Sequence, residues 1–215
     1  MRKLVLKISV TADGFVCGPN GETDWLLRAK DKAAQAWLEK TLWEAGVHMM
    51  GSRTFHAMAA YWPTSSDLLA APMNEIPKIV FSKKGLAEHT KDSMARQALN
   101  DSSRLDAERG PFRTALSKGT GTWLDPWVAS DLVADITELK QQDGKFILAH
   151  GGANFAQALV QHGLIDEYRL VIHPVAIGKG ISLFASTPTQ IDLKLESSTQ
   201  FASGVIATIY STIRK

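Results

Sequence analysis

The stretch Ile147-Leu148-Ala149-His150-Gly151-Gly152-Ala153-Asn154-Phe155 decides how this chain is read. An apolar, strand-like run enters two adjacent glycines, and a helix-like run leaves them. Paired glycines allow a sharp turn and let a ligand approach bare main chain. The amides that open the following helix are unpaired and lie at the positive end of its dipole, which suits a phosphate. An ordinary tight strand-to-helix connection has the same local sequence. The choice between the two rests on what the rest of the chain brings alongside.

Working outward, Phe155, Leu159 and Val160 set the helix after the glycines on a core, and Gly163 stops it. Upstream, Ser130 can cap a helix carrying Leu132, Val133, Ile136 and Leu139, with Gly144 beyond its end. Strands are predicted over 5–10, 47–50, 77–81, 123–128, 145–149 and 168–172. A helix is predicted over 31–45, with Ala34, Trp37, Leu38, Thr41, Leu42 and Ala45 on one face. Two long strands, 193–201 and 205–213, meet near Ser203-Gly204 and read as a C-terminal antiparallel hairpin. Strands separated by crossover helices imply a mostly parallel sheet of the α/β class, to which the hairpin adds an antiparallel edge. Residues 86–121 are rich in Ser, Ala, Asp, Arg and Lys and read as a peripheral insertion, with 87–99 able to form an exposed helix, or equally as a flexible lid.

The composition suits one domain spanning 1–215. Hydrophobic residues make up 45% and charged residues 21% of the 215, and the net charge of +2 argues for neither nucleic acid nor an anionic membrane as partner. Cys17 is the single cysteine, so no internal disulfide can form. The N-terminus carries a lysine, Lys7, inside an apolar strand and lacks the form of a signal peptide. No segment approaches the ~20 apolar residues of a membrane span, so a cytoplasmic location is expected.

Three strand ends bring small or basic residues: Gly51-Ser52-Arg53-Thr54, Ser82-Lys83 and Gly151-Gly152-Ala153-Asn154. In open α/β sheets ligands bind beyond the carboxyl ends of the strands. A hydroxyl, a guanidinium fork and an ammonium there make a phosphate cradle. Singly, Arg53 reads equally as a surface charge and Ser82 as a strand-end cap. The Gly-x-Gly-x-x-Gly fingerprint and the Gly-Lys-Ser/Thr phosphate loop are absent.

These residues carry a resemblance. With Ser9-Val10-Thr11-Ala12-Asp13-Gly14-Phe15, Met50 to Phe55, Val80 to Lys83, His150-Gly151-Gly152, Leu164 to Glu167, His173-Pro174 and Gly178 to Phe184, the chain resembles the three-layer dihydrofolate-reductase-like fold. Within that fold it is similar to the reductase domain of riboflavin-biosynthesis deaminase-reductases and its stand-alone bacterial relatives. The resemblance implies NADPH as cofactor. It implies phosphate contacts at Gly51, Ser52, Arg53 and Thr54, the 2′-phosphate at Ser82 and Lys83, and the pyrophosphate at Gly151, Gly152, Ala153 and Asn154. Ser9 and Val10 fall near the nicotinamide. It also implies a homodimer paired through sheet edges.

The substrate side departs from the pattern. His150 stands where the riboflavin-pathway reductases usually carry Glu, and Asp31 and Gln35 do not reproduce the acidic residue with which dihydrofolate reductases face a pterin. His150 reads as a proton donor or as a buried structural histidine, and Asp13 as a substrate contact or the holder of the Gly14 turn. Trp25 and Trp62 suit stacking on a flat heterocycle, and equally core packing. No metal-ligand spacing appears among the histidines and Cys17. The expected activity is hydride transfer from NADPH to a small heterocycle, a pterin, flavin precursor or related compound. The alternative is a nucleotide-binding or regulatory protein of the same fold without turnover.

Overall fold

A computed structural model describes residues 1–28, 31–83, 121–185 and 187–214. The insertion predicted over 86–121, with its helix over 87–99, lies outside the described residues except for Gly121. In chain order the elements are β1 (Leu4–Thr11), β2 (Phe15–Cys17), α1 (Lys32–Trp43), β3 (Ala45–Gly51), α2 (Ser52–Ala59), α3 (Ala70–Glu75), β4 (Lys78–Phe81) and β5 (Trp127–Ala129). They continue with α4 (Leu132–Gln141), β6 (Phe146–Ala149), α5 (Ala153–Gln161), β7 (Glu167–His173), β8 (Ile181–Ser182), β9 (Leu193–Gln200) and β10 (Ile206–Thr212). The chain groups into two compact units, Met1–Arg2 with Glu39–Leu148, and Lys3–Leu38 with Ala149–Lys215.

In the first unit the strands run in the order β5-β4-β3-β6, with β4 parallel to both β3 and β5. Met49, Met50, Val80, Ile136, Leu139 and Ile147 are fully or almost fully buried here. Trp123 belongs to this core, at 1% exposure. Its indole Nε1 donates to Asn74 Oδ1 at 2.9 Å, and Lys78 Nζ stands 4.7 Å from the ring centroid. The strand predicted over 123–128 is therefore shorter. Trp123 sits in an irregular segment as a packing anchor, and only Trp127–Ala129 pairs with β4. Asp131, not Ser130, caps α4, since its carboxylate accepts from the amides of Val133 and Ala134.

In the second unit the order is β1-β7-β10-β9, with β1 and β7 parallel and β10 antiparallel to both neighbours. The fold is thus α/β, with a mostly parallel sheet and the predicted C-terminal antiparallel hairpin. Leu4, Leu6, Ala156, Leu159 and Tyr168 form the buried centre of this unit. Ala34 and Trp37 of α1 pack against Phe201, Val205 and Ala207 of the hairpin region. Helix α5 ends as predicted at Gly163, whose φ of +61 suits glycine. Its amide bonds Val160 O while that of Leu164 bonds Leu159 O.

The short pair β2 and β8 is not foreseen from sequence. It brings Gly180 so close that a Cβ there would lie 2.3 Å from Cys17 O, a contact only glycine allows. Strand β9 is an edge whose residues from Lys194 to Gln200 are all exposed, so its apolar alternation in sequence buries nothing.

Candidate functional site

In the first unit, Gly51 closes β3 and serves as the N-cap of α2, with extended backbone (φ −74, ψ 156) and no side-chain cap on the helix amides. Ser52 and Thr54 are half-buried in the first turn and Arg53 is exposed. Beyond β4, Ser82 is buried, its amide donating to Ala129 O at 2.9 Å, and Lys83 is exposed. Trp62 opens a 3-10 turn, Trp62–Thr64, half-buried and edge-on to Tyr61 at 4.9 Å. The Trp62 carbonyl accepts from Asn74 Nδ2 at 2.9 Å.

In the second unit, Gly152 is the N-cap of α5, again with extended backbone and no side-chain cap. The Gly151–Gly152 peptide is cis. Ala153 and Asn154 open the helix, Asn154 exposed. The contrast with α1 and α4 is direct. Asp31 accepts from the amides of Ala33 and Ala34 at the start of α1, and Asp131 does the same for α4. Helices α2 and α5, after Gly51 and Gly152, have no such carboxylate, as is also true of the short α3, and free first-turn amides are the donors an anion uses.

Ser9 and Val10 lie in β1 beside Val171 and Ile172 of β7. Asp13, just past β1, is fully engaged. One carboxylate oxygen accepts from the Thr11 hydroxyl at 2.5 Å, the other from the amides of Ile177 and Gly178 at 3.0 and 2.8 Å. The Thr11 hydroxyl, then the backbone amides, hold its carboxyl below the usual range. Trp25 is 3% exposed in a 3-10 turn, Asp24–Leu27, and meets the His173 ring edge-on at 5.0 Å. Its indole Nε1 and His173 Nδ1 are buried with no hydrogen-bond partner among the described residues.

His150, at 6% exposure, is held neutral: burial first, then the charge of Lys7, lowers it to about 3. The same two causes lower His173. Lys7 is itself lowered to about 8 by burial. It enters the sequence reading only as the cation interrupting an apolar strand, and that interruption is the signal that marks it. Lys7, His150, His173 and Trp25 all lie in the second unit, where the Trp25 and His173 rings meet and the charge of Lys7 reaches both histidines. His173 enters the sequence only within the stretch His173-Pro174 that carries the resemblance, and its meeting with Trp25, remote in the chain, has no signal there. Among the described residues no group of three or more His, Cys, Asp or Glu is placed to hold a metal ion, and no helix is long and apolar enough to cross a membrane.

The RibD C-terminal domain family matches residues 2–207, and the chain belongs to that family. The uncharacterized protein YyaP of Bacillus subtilis is 28% identical over 210 residues, covering 97% of this chain and 94% of its own. The fold is shared with a diaminohydroxyphosphoribosylaminopyrimidine deaminase/5-amino-6-(5-phosphoribosylamino)uracil reductase of Thermotoga maritima (TM-score 0.64, 15% identity, 99% of this chain). This chain spans 57% of that protein's length. A pyrimidine reductase-like protein of Corynebacterium diphtheriae aligns over 100% of this chain and 93% of its own, with a TM-score of 0.59 and 14% identity.

Proposed function

We propose that the protein is an NADPH-dependent reductase that delivers a hydride to a small heterocyclic substrate, a pterin, flavin precursor or related compound, with residues 1–215 as one cytoplasmic enzyme domain. The observation that carries this reading is the pair of uncapped helix starts at Gly51 and Gly152, set against the Asp-capped starts of α1 and α4. Membership of the RibD C-terminal family supports it, as does the reductase activity in the name of the Thermotoga protein.

When bound, the nicotinamide supplies the hydride; the protein supplies position and electrostatics. Gly51, Ser52, Arg53 and Thr54 are assigned a phosphate, Ser82 and Lys83 the 2′-phosphate, and Gly151 to Asn154 the pyrophosphate. Free amides and exposed cations fit these charges. Ser9 and Val10 offer backbone to the nicotinamide, and Trp25 and Trp62 are assigned to the substrate. His150, neutral throughout the physiological range, acts as a neutral imidazole that orients a substrate polar atom. Asp13 is a positioning residue, ionised and fastening the loop after β1 to 177–178.

A homodimer is part of the same reading, supported by the long, exposed edge strand β9; a monomeric mass in light scattering at micromolar concentration would remove that part. The cofactor is tested by titrating the protein with NADPH and NADH while following nicotinamide fluorescence. Saturable binding that favours NADPH is expected, and equal binding or none would reject it. NADPH that binds but is oxidised by no pterin, pyrimidine or quinone would put the non-catalytic alternative in its place.

A further inference from the structure

Asn20-Gly21 is a chemically reactive pair in the short loop between β2 and the 3-10 turn that carries Trp25. Asn20 is the only asparagine in the chain that glycine follows; Asn74, Asn100 and Asn154 precede Glu75, Asp101 and Phe155. Glycine has no Cβ to shield its amide, so the Gly21 nitrogen can reach the Asn20 side-chain carbonyl carbon, Cγ, and close a succinimide ring. An asparagine in an exposed turn undergoes this reaction without an enzyme, and Asn20 and Gly21 are both exposed.

The folded loop holds every group that ring closure needs. Both oxygens of the Glu22 carboxylate accept from Asn20, Oε2 from its backbone amide at 2.9 Å and Oε1 from Nδ2 at 2.7 Å. The Gly21 amide, the attacking group, donates to Gly18 O at 3.1 Å, and the Gly18 amide donates to Glu22 O at 2.9 Å. Gly18 makes room for this clamp, since a Cβ there would run into Glu22 Oε2. The Asn20 side chain is the first cause that holds the Glu22 carboxyl below its ordinary range, so the clamp is ionised at neutral pH.

Each contact opposes the reaction in its own way. Donation to Gly18 O keeps the Gly21 proton from the base that must remove it. Donation from Nδ2 to an anion pushes electron density onto the side-chain amide and makes Cγ a poorer electrophile. Anchoring the Asn20 backbone amide resists the rotation that brings nitrogen and carbon together.

We propose that Asn20 is a site of spontaneous deamidation and that the Glu22 carboxylate is the latch that delays it. The bond from Gly21 N to Asn20 Cγ forms and the Cγ–Nδ2 bond breaks. The proton lost by Gly21 leaves, by way of solvent, on the departing ammonia. Water then opens either carbonyl of the ring, giving aspartate or isoaspartate, and nothing is oxidised or reduced. Either product sets a second carboxylate near Glu22 in place of an N–H donor, so the two repel and the loop opens. None of this depends on the protein being a reductase.

The full chain is incubated for weeks at neutral pH beside Glu22→Ala and Glu22→Gln, and conversion at Asn20 is followed by peptide mapping in the mass spectrometer. The parent should be the slowest. Glu22→Ala should convert at least about threefold faster, the scale of an exposed contact to a charge, with Glu22→Gln between them. The parent in denaturant should be faster than the folded parent, because the whole loop is then released. Glu22→Ala converting at the parent's rate would overturn the latch, and no conversion even in denaturant would overturn the site. Asn20→Asp, which installs one product, should speed hydrogen exchange at the Gly18 and Gly21 amides. Unchanged exchange there would overturn the opening of the loop.

Discussion

Asp31 joins the start of α1 to the turn of the C-terminal hairpin: its Oδ2 accepts the Ser203 amide at 2.9 Å while Oδ1 caps the helix at Ala33 and Ala34. The same two elements meet through Ala34 and Trp37 against Phe201 and Val205. One carboxylate thus fixes the helix end and the register of its packing together. The position just ahead of α1 is explained by capping, without a substrate.

Asp31→Ala should therefore lower Tm by several degrees and leave the NADPH titration unchanged. Asp31→Asn, which keeps an acceptor oxygen, should recover most of the loss. The carboxyl is held below its ordinary range, the Ser203 amide being the first cause. Its contribution is therefore complete at neutral pH, and is lost only as pH falls through that lowered value. Thermal melts at pH 7 and pH 3 measure this. An Asp31→Ala protein whose deficit is as large at pH 3 would contradict it.

What was legible in the chain follows from period and length. Strands β1, β3, β4 and β7 and helices α4 and α5 are apolar runs with clear stops, and they stand where the sequence puts them. Strands β2 and β8 are three and two residues long, too short for any period, and α3 is a six-residue helix after Asp67. Trp123 misleads because two tryptophans with Leu124 and Val128 imitate a strand, whereas it is an anchor held by Asn74. At the candidate site, the glycine-ended strands were visible locally. The meeting of Trp25 with His173, and the reach of the Lys7 charge to both histidines, depend on strand register and could not be read from spacing.

Asn74 supports the Trp62 turn from within the first unit. Its side chain donates to Trp62 O and accepts from Trp123 Nε1, while its own carbonyl accepts from Lys78 Nζ at 2.5 Å. Asn74→Ala leaves a buried indole donor unmet and should cost about 2 kcal/mol by chemical denaturation. Asn74→Asp, which still accepts from the indole, should cost less. Equal losses would show that the indole bond contributes little.

Gly51→Asp separates stability from cofactor binding. The Gly51 backbone is extended and open to any residue, and an aspartate there would cap α2 as Asp31 and Asp131 cap their helices. Stability should hold or rise by up to about 1 kcal/mol. NADPH affinity should fall at least about tenfold, because the same amides are then occupied and a negative charge faces the phosphate. A stabilised variant with unchanged NADPH affinity would remove the helix start from the cofactor site.

The Lys7 cluster predicts an unusual pH profile. Lys7 is lowered from 10.5 to about 8 by burial, so between those values the unfolded chain holds a proton that the folded chain has released. Stability therefore rises with pH across that window, and below it the protein bears the full penalty, on the order of 3 kcal/mol. His150, lowered from 6.5 to about 3, acts in the same sense at the acid end, where stability falls as pH drops through that range. Lys7→Met removes the alkaline window. Its Tm should exceed that of the parent by several degrees at pH 7, and the gap should close toward pH 10. Other groups titrate in both proteins, so the difference between the two melts is the readout. A Lys7→Met protein less stable than the parent at pH 7 would mean that Lys7 is already satisfied within the fold.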